Sequence, residues 1–362
     1  MASAERVRPT SVLPSSFSAD ELTGMRRALE LAQSPGVPLG PNPRVGCVLL
    51  DADGASLAEG CHHGAGTPHA EADALSRAGN LVHGATAVVT LEPCNHTGRT
   101  GPCTRALIEA GVARVVYAQA DPSPVAAGGA QALATAGVEV VGGLLVDEAR
   151  AVNRVWSFAV EHRRPFVTWK LATTLDGRSA AADGTSRWIT SDAARQDVHR
   201  LRALCDVVLV GTGTVVADDP ELTVRDPDGC LAENQPLRAV MGTRRLPVGL
   251  RVVNDAAQTV VLPTQDPAEA LAGLFGRDRQ HVFLEGGPTL AAAFLRAGLV
   301  DEIVAYVAPA LLGAGTPAVA DLGITTIDDI ARLDVHDVST VGEGADTCVR
   351  MILSPRPQPK EA

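Results

Sequence analysis

The chain has 362 residues, of which 46% are hydrophobic and 20% charged, and its formal net charge is −11. This length predicts about two domains of the usual ~150 residues each. The acidic balance argues against a nucleic-acid partner, because binding to a phosphate backbone depends on Lys and Arg. A single phosphorylated metabolite stays possible, since it needs only one or two basic groups.

The seven cysteines are spread along the chain and are odd in number. This distribution is typical of a reduced compartment, where thiols serve metal binding or the core. No apolar run approaches the ~20 residues that a membrane-spanning helix needs. Residues 1–19 are predicted to be a disordered leader, and they lack the apolar segment of a secretory signal. We therefore expect a cytoplasmic protein with no membrane partner.

The first half of the chain predicts alternating helices and strands. Ser18 and Glu21 fit a capping box at the start of the first helix. Apolar runs then predict strands at 45–50, 87–92, 113–118 and 138–142, and helical stretches at 70–79, 104–111 and 126–137. This alternation predicts an α/β layered domain over residues 20–160 with a largely parallel sheet.

The second half repeats this alternation after a break. One helix is predicted over 146–161, and the polar segment EHRRP (161–165) is predicted to be a linker. Strands are then expected at 165–174, 207–211, 238–242, 259–263, 281–287 and 302–309. The pattern predicts a second α/β domain over residues 166–355.

Residue types that can bind zinc occur close together in the first half, in HAE (69–71) and LEPCNHTGRTGPC (91–103). His69, Cys94 and Cys103 supply three imidazole and thiolate ligands, and a catalytic zinc site leaves a fourth position for water. Glu71 lies close enough in sequence to exchange a proton with that water. A histidine, a nearby glutamate and a Pro-Cys pair are the pattern of the zinc deaminases that act on bases.

Other interpretations of these residues stay open. A lone HAE sequence is common, and free cysteines are more often buried apolar residues than ligands. A structural zinc site would need a fourth protein ligand, for which His96 is the candidate. The coincidence of a histidine and two cysteines, each near a helix start, favours catalytic zinc.

Long motifs in both halves resemble one family. The segments GPNPRVGCVLL, GTPHAEADAL and TLEPCNHTGRTGPC are similar to the deaminase domain of the bifunctional riboflavin-biosynthesis deaminase–reductase family. The segments KLATTLDGRSA, TSRWITS, VVLVGTGTVVADDPELTVR and FLEGGPTLAAAFL are similar to its reductase domain. The resemblance covers about residues 21–349. It implies a cytidine-deaminase-like three-layer domain followed by a dihydrofolate-reductase-like α/β domain.

In the first domain, the resemblance implies that one zinc ion is bound by His69, Cys94 and Cys103, with Glu71 as the proton shuttle. The generic PCxxC spacing becomes Cys94-x8-Cys103, so the extra residues are expected to form a loop at the rim of the site. The implied substrate contacts are Asn42, Arg99 and either His62 or His63. From the residues alone, Asn42 could equally be a turn residue between two prolines.

In the second domain, nicotinamide binding rests on the resemblance, because a GxGxxG fingerprint is absent. The implied NADPH contacts are Ala172, Trp188, Thr214, Asp218, Thr243, Gly287, Pro288, Thr289, Leu290, Ala291, Ala292 and Ala293. The implied substrate contacts are Lys170, Ser186, Arg202, Leu222, Arg225 and Glu285. Without the resemblance, Arg202 would be a solvated helix residue and Asp218 a turn former.

One segment departs from the family's pattern. Members commonly have an aspartate followed by a hydroxyl residue after the strand at 238–242, whereas this chain has Gly242 and Thr243, followed by Arg244 and Arg245. Thr243 could keep the hydroxyl contact, and a guanidinium can pair with the 2′-phosphate of NADPH.

The resemblance implies two reactions. The first is zinc-dependent deamination of 2,5-diamino-6-(5-phosphoribosylamino)pyrimidin-4-one, and the second is NADPH-dependent reduction to 5-amino-6-(5-phosphoribitylamino)uracil. Two alternatives are a deaminase of nucleic-acid bases with an unrelated companion domain, and a zinc-stabilised binding protein without catalysis. The sequence does not determine whether the protein is a homo-oligomer.

Overall fold

The computed structural model describes residues 16–34, 40–96, 101–226 and 228–356. The chain divides into two compact units, one ending at Glu161 and one beginning at His162. Within the described residues, no helix is both long enough and apolar enough to cross a bilayer. Residues 1–15 of the predicted leader lie outside the described part of the chain.

The first unit begins with helix α1 (Ala19–Ala32), and its start confirms the predicted capping box. The Ser18 side chain accepts from the Glu21 backbone N–H at 3.1 Å, and the Ser18 N–H donates to Glu21 Oε2 at 2.8 Å. Two of the free N–H groups at the helix end are thereby satisfied. The apolar face of α1 buries Met25 and Ala28 completely.

Five strands of the first unit form a sheet in the order β2-β1-β3-β4-β5. Strands β3, β4 and β5 are parallel, but β1 is antiparallel to both β2 and β3. The prediction of a largely parallel sheet was therefore wrong for the β2-β1-β3 half. The strands are β1 (Gly46–Leu50), β2 (Ser56–Cys61), β3 (Thr86–Leu91), β4 (Arg114–Gln119) and β5 (Glu139–Gly142). Sequence reasoning missed β2 because most of this edge strand is only partly buried and carries no apolar run.

Helices cover both faces of this sheet, which confirms the three-layer arrangement. One core contains α2 (Ala70–Ala78), α3 (Cys103–Glu109) and α4 (Gly129–Thr135), and it packs on one face of the strands. A second core contains α1 and α5 (Val146–Val152) and packs on the other face. Alternate β1 residues enter opposite cores, as the two-residue period of a strand requires.

The single helix predicted over 146–161 is two helices, because Asn153 interrupts it between α5 and α6 (Arg154–His162). The Asn153 side chain accepts from the Arg44 backbone N–H at 2.8 Å and donates to the Arg44 carbonyl at 2.9 Å. Both bonds are buried or partly buried, so they hold the segment next to Asn42 in place. Helix α6 extends to His162, which means that the first two residues of the predicted linker are helical.

The second unit contains an eight-stranded sheet in the order β10-β9-β8-β11-β6-β12-β15-β14. Six strands are parallel: β6 (Phe166–Thr174), β8 (Val207–Gly211), β9 (Leu237–Met241), β10 (Thr259–Leu262), β11 (His281–Leu284) and β12 (Glu302–Ala308). Strand β15 (Cys348–Pro355) pairs antiparallel to β12, and β14 (Leu333–Val341) pairs antiparallel to β15. A small separate sheet pairs β7 (Arg178–Ala180) with β13 (Thr316–Pro317).

Helices again lie on both faces of the larger sheet. Helices α9 (Pro267–Phe275) and α10 (Pro288–Arg296) share one core with the sheet. Helices α7 (Asp192–Arg202) and α8 (Thr212–Asp218) pack against the other face. Because parallel strands end at one edge of the sheet, residues that follow β8, β9 and β11 are brought near one another there.

Candidate active sites

The first candidate site lies in the first unit, where two helices begin. His69 is the N-cap of α2, Cys103 is the first residue of α3, and Cys94 follows β3. His69 Nδ1 lies 3.2 Å from Cys103 Sγ and 3.5 Å from Cys94 Sγ. The three candidate ligand atoms all lie within 4.8 Å of one another. The structure therefore brings together the three residues that the sequence predicts as zinc ligands.

The two thiols of this site share one hydrogen bond. That bond lowers the pKa of the Cys94 thiol, and the thiolate of Cys94 in turn raises the pKa of Cys103. His69 and the amides at the start of α3 add further stabilisation of negative charge. A thiolate at this position is the form that binds a divalent cation.

The donor set fits zinc. Two thiolates and one imidazole are zinc's usual ligands, and three protein ligands with an open fourth position are typical of a catalytic site. Within the described residues, the cluster contains only His69, Cys94 and Cys103, so His96 does not complete a four-ligand structural site. Among the described residues, the buried Nδ1 atom of His96 finds no hydrogen-bond partner.

Glu71 lies in the first turn of α2 and is only 3% exposed. Burial raises the pKa of its carboxyl group, with a further contribution from the charge of Cys94. The carboxyl group faces the ligand cluster closely enough to hydrogen-bond Cys103. Glu71 is therefore placed to exchange protons next to the metal-binding atoms.

The position of Cys94 depends on residues that sequence reasoning did not single out. Glu92 is buried and accepts from the backbone N–H groups of Asp121 at 3.2 Å and Ala130 at 2.9 Å. Gly129, at the start of α4, approaches the Pro93 carbonyl so closely that a Cβ there would lie 1.7 Å from it. These contacts hold the turn that carries Pro93 and Cys94.

The predicted substrate contacts around this site have different placements. Asn42 Nδ2 lies 2.9 Å from His62 Nε2, and His62 is buried with its ring 5.2 Å from that of His69. His63 is exposed and lies near Cys61 and Asp73 instead. The structure thus favours His62 over His63 as the site residue. Arg99 lies outside the described residues.

The second candidate site is a cavity of about 560 Å³ in the second unit, at the carboxyl ends of the parallel strands. It is lined by many of the residues that the sequence resemblance implies: Lys170, Ala172, Ser186, Trp188, Arg202, Thr214, Asp218, Leu222, Arg225, Glu285, Gly287 and Pro288. They come from elements up to 118 residues apart, since Lys170 is on β6 and Pro288 starts α10.

A buried ion pair forms one wall of this cavity. Arg202, the last residue of α7, makes a two-bond contact with the Glu285 carboxylate, including an Nη2–Oε2 bond of 3.0 Å. Arg202 also donates to the Thr223 carbonyl at 2.9 Å. Burial by itself would raise the pKa of Glu285, but the charges of Arg202 and Lys170 outweigh burial and lower it. Burial lowers the pKa of Lys170, and Glu285 opposes that shift.

The mouth of the cavity is basic and partly aromatic. The guanidinium group of Arg195 lies 4.3 Å from the centre of the exposed Trp188 ring. Arg187 donates to the Asp218 carbonyl at 2.6 Å, and Arg225 and Arg251 both pair with Glu221. The lining residues Arg195, His199 and Arg251 were not predicted from the sequence, because no local pattern separates them from solvated helix or loop residues. Such a cluster of cations is suited to bind phosphate.

The start of α10 offers backbone N–H groups to the same cavity. Gly287 is its N-cap and makes no side-chain capping bond, and Pro288 follows at the first turn. Free amides at a helix start bind anions, which fits a dinucleotide phosphate. The side chains of Ala291 and Ala292 are fully buried in the core, and Thr289, Leu290 and Ala293 do not line the cavity. Contacts of NADPH with these five residues stay predictions.

The backbone conformation and surroundings of Gly242 explain why a glycine, and not the family's aspartate, fits this position. Its φ is +138°, and a Cβ at this position would lie 2.8 Å from Thr212 Oγ1. A carboxylate therefore does not fit here without a shift of Thr212. Thr243 is exposed, with its hydroxyl 3.4 Å from Gln265 Nε2, and it does not line the cavity.

Two protein families match the two units separately. Residues 18–119 match the family described as cytidine and deoxycytidylate deaminase zinc-binding region. Residues 165–347 match the family described as RibD C-terminal domain.

Curated relatives and solved structures match almost the whole chain. The riboflavin biosynthesis protein RibD of Mycobacterium tuberculosis is 51% identical over 326 residues, which cover 90% of this chain and 95% of the relative. RibD of Escherichia coli is 40% identical, with 91% and 98% covered. The structure of Acinetobacter baumannii RibD has a TM-score of 0.84 at 38% identity and covers 93% of this chain and 99% of that one. A Thermotoga maritima structure titled diaminohydroxyphosphoribosylaminopyrimidine deaminase/5-amino-6-(5-phosphoribosylamino)uracil reductase has a TM-score of 0.80 at 34% identity, with 93% and 99% covered.

Proposed function

Because this chain belongs to the RibD family of riboflavin-biosynthesis proteins, we propose that its first site deaminates the diamino pyrimidine nucleotide and its second site then reduces the ribosyl group. The protein is a bifunctional enzyme with a zinc-binding deaminase domain and an NADPH-dependent reductase domain. The observation that carries the deaminase proposal is the convergence of His69, Cys94 and Cys103 within 4.8 Å beside the buried Glu71.

In the deaminase site, each residue has a separate role. His69, Cys94 and Cys103 would hold the zinc ion, which would supply Lewis-acid activation of a water molecule. Glu71 takes the proton from the attacking water and gives it to the departing amino group, which leaves as ammonia. Asn42 and His62, which contact each other at 2.9 Å, bind and orient the pyrimidine or its ribose.

In the reductase site, NADPH supplies the hydride, and the residues of the chain bind and orient both molecules. Backbone amides at the start of α10 and the hydroxyl of Thr214 lie where they can hold the cofactor. Arg225 can bind the substrate phosphate through its guanidinium fork. Lys170 and Glu285 are proposed partners of the ribose hydroxyls, since they offer a donor and an acceptor on the same wall.

The test of the zinc assignment is Cys94→Ser. We expect zinc content to fall from one ion per chain to a small fraction and deamination to be lost, because one of three ligands is removed. Reduction of the deaminated nucleotide should continue. Metal analysis and separate assays of the two reactions measure these outcomes, and Cys230→Ser, which changes an exposed thiol of the other unit, is the control. Full zinc occupancy in Cys94→Ser would rule out the assignment.

We also propose that residues 20–160 form the deaminase domain and residues 166–355 the reductase domain, joined by 161–165. The division between the compact units at Glu161 and His162 supports this proposal. A fragment beginning at Pro165 is expected to reduce the deaminated nucleotide with NADPH and without zinc, because every proposed reductase contact lies after that residue. Steady-state kinetics measure the result. A folded fragment without reductase activity would contradict the proposal.

Cofactor choice provides a further prediction. Arg244 and Arg245 are exposed three and four residues after β9, and we propose that their guanidinium groups pair with the 2′-phosphate of NADPH. Changing both to glutamine should lower kcat/KM for NADPH by about 10–100-fold, which corresponds to the loss of one charge-assisted bond of roughly 1.5–3 kcal/mol. The value for NADH should stay unchanged. Arg277→Gln, another exposed arginine, is the control, and equal losses with both cofactors would contradict this role.

The partners and location are proposed on less direct grounds. We propose a phosphorylated pyrimidine as the small-molecule substrate and no nucleic-acid or membrane partner, which the net charge of −11 supports. All seven cysteines are unpaired, which supports a reducing, cytoplasmic compartment. Formation of a homo-oligomer is a further proposal, which sedimentation of the full chain tests.

A further inference from the structure

A second group of metal-binding side chains lies in the first unit, apart from the zinc ligands. Cys61 ends β2, His63 follows it by two residues, and Asp73 is in the first turn of α2. Their candidate ligand atoms all lie within 4.8 Å of one another. We call these three residues the Cys61 cluster.

The geometry of the Cys61 cluster is near that of a zinc site. Cys61 Sγ lies 3.5 Å from His63 Nε2, and His63 Nε2 lies 4.0 Å from Asp73 Oδ2. In a tetrahedral zinc site, the usual bond lengths place sulfur and nitrogen ~3.5 Å apart and nitrogen and oxygen ~3.3 Å apart. The first distance already matches, and the second requires only a small movement of the exposed His63 side chain.

The carboxylate of this cluster is held in place by the protein. Asp73 Oδ2 accepts from the Cys61 backbone N–H at 3.1 Å, and Arg77 donates to both Asp73 oxygens at 3.1 and 2.9 Å. Gly60 allows α2 to pack directly on β2, because a Cβ there would lie 2.3 Å from the Ala70 carbonyl. The scaffold is therefore preorganised, as supporting contacts around metal ligands usually are.

We propose that the Cys61 cluster is a second site for a borderline-soft divalent cation such as zinc, distinct from the catalytic site and weaker than it. A thiolate, an imidazole and a carboxylate select such cations over magnesium, which prefers oxygen ligands alone. The site is weaker because His63 is half exposed and Arg77 competes for the Asp73 carboxylate.

The position of this site links it to the deaminase. His62 lies between two of the proposed ligands, and its side chain contacts Asn42 and stands edge-on to His69. A cation bound by Cys61 and His63 fixes the backbone on both sides of His62. Occupancy of the second site thereby restrains a residue at the wall of the first.

The test uses the full-length enzyme with one catalytic zinc per chain, titrated with Cd²⁺ and followed by equilibrium dialysis and thiolate-to-metal absorption. Because Cd²⁺ binds thiolates more tightly than zinc, it should also exchange into the catalytic site. We therefore expect two Cd²⁺ per chain, the second of them additional to the metal of the catalytic site. His63→Ala, at an exposed position that the fold tolerates, and Cys61→Ser should each weaken this binding at least tenfold. The first zinc and the reductase activity should be unchanged in both variants.

His83→Ala is the matched control, because it removes another exposed imidazole from the same unit. It should bind the additional Cd²⁺ as the unchanged protein does. The proposal is overturned if the unchanged protein binds no additional ion, or if His63→Ala binds it with full affinity. Equal binding of Mg²⁺ would also overturn it, since a thiolate site does not select that ion.

Discussion

Glu71→Gln is expected to lower the kcat of deamination by about 10²–10⁴-fold, the usual contribution of a positioned general acid–base group. Glutamine keeps the shape of the buried side chain but cannot accept a proton from the attacking water. Because Glu71 is not among the three metal-binding residues, zinc content should stay at one ion per chain. Reduction of the deaminated nucleotide by the other unit should also be unchanged. Steady-state kinetics with each substrate and metal analysis measure these results.

The control for this substitution is Glu21→Gln, since Glu21 is also a buried glutamate of the first unit. A glutamine at this position can keep the capping box of α1, so deamination should continue. If Glu71→Gln deaminates at the normal rate with zinc bound, another group carries the proton. If the substitution removes zinc, the loss of activity reports on metal binding instead of proton transfer.

Arg202→Met is expected to destabilise the second unit by about 3–5 kcal/mol, because it leaves the Glu285 carboxylate buried without its main partner. Reduction should be lost as well, since both residues line the cavity. Urea unfolding monitored in the second unit and reductase kinetics under native conditions measure the two effects. Deamination by the first unit should stay normal.

A second substitution separates the structural and the functional contributions of this pair. In Arg202→Met/Glu285→Leu, both charges are removed, so most of the stability should return while reduction stays absent. Arg164→Met breaks another two-bond arginine–carboxylate pair, with Asp301, away from the cavity. It should lower stability but leave the KM values of reduction unchanged. Normal reduction in folded Arg202→Met would contradict a role for this residue in the site.

The pH dependence of stability follows from the same ion pair. The folded-state pKa of Glu285 is lowered, so its contribution to stability is fully present above the unfolded value of about 4.3. That contribution is lost as the pH falls through the lower folded-state pKa. In Arg202→Met the main cause of the lowering is gone. Burial then raises the pKa of Glu285, so protonation of this group no longer costs stability. The acid-induced loss of stability should therefore be smaller than in the unchanged protein, as pH-dependent urea unfolding can show.

Several features of this protein were determined by the sequence alone. The capping box of α1 and most strands of both sheets depend on neighbours within a few residues, so local patterns predict them. His69, Cys94 and Cys103 were predicted as zinc ligands from residue type and motif, and the structure brings their candidate ligand atoms within 4.8 Å of one another. The edge strands β2 and β14, and β15 beside β14, were not identified, because partly exposed strands show only a weak apolar pattern.

Only the tertiary structure decided which distant residues meet. Arg202 and Glu285 are 83 positions apart in sequence. From local pattern alone, Arg202 is interpreted as a solvated helix arginine, whereas the structure places it against Glu285 in one wall of the cavity. His62 and His63 are adjacent in sequence, yet one lies beside His69 and the other beside Cys61. The sequence determined the candidate metal ligands and the helices and strands that carry them, because these depend on residue chemistry and local periodicity. Which distant side chains contact one another depends instead on strand order and helix packing. These arise from the burial of apolar surfaces contributed by the whole unit.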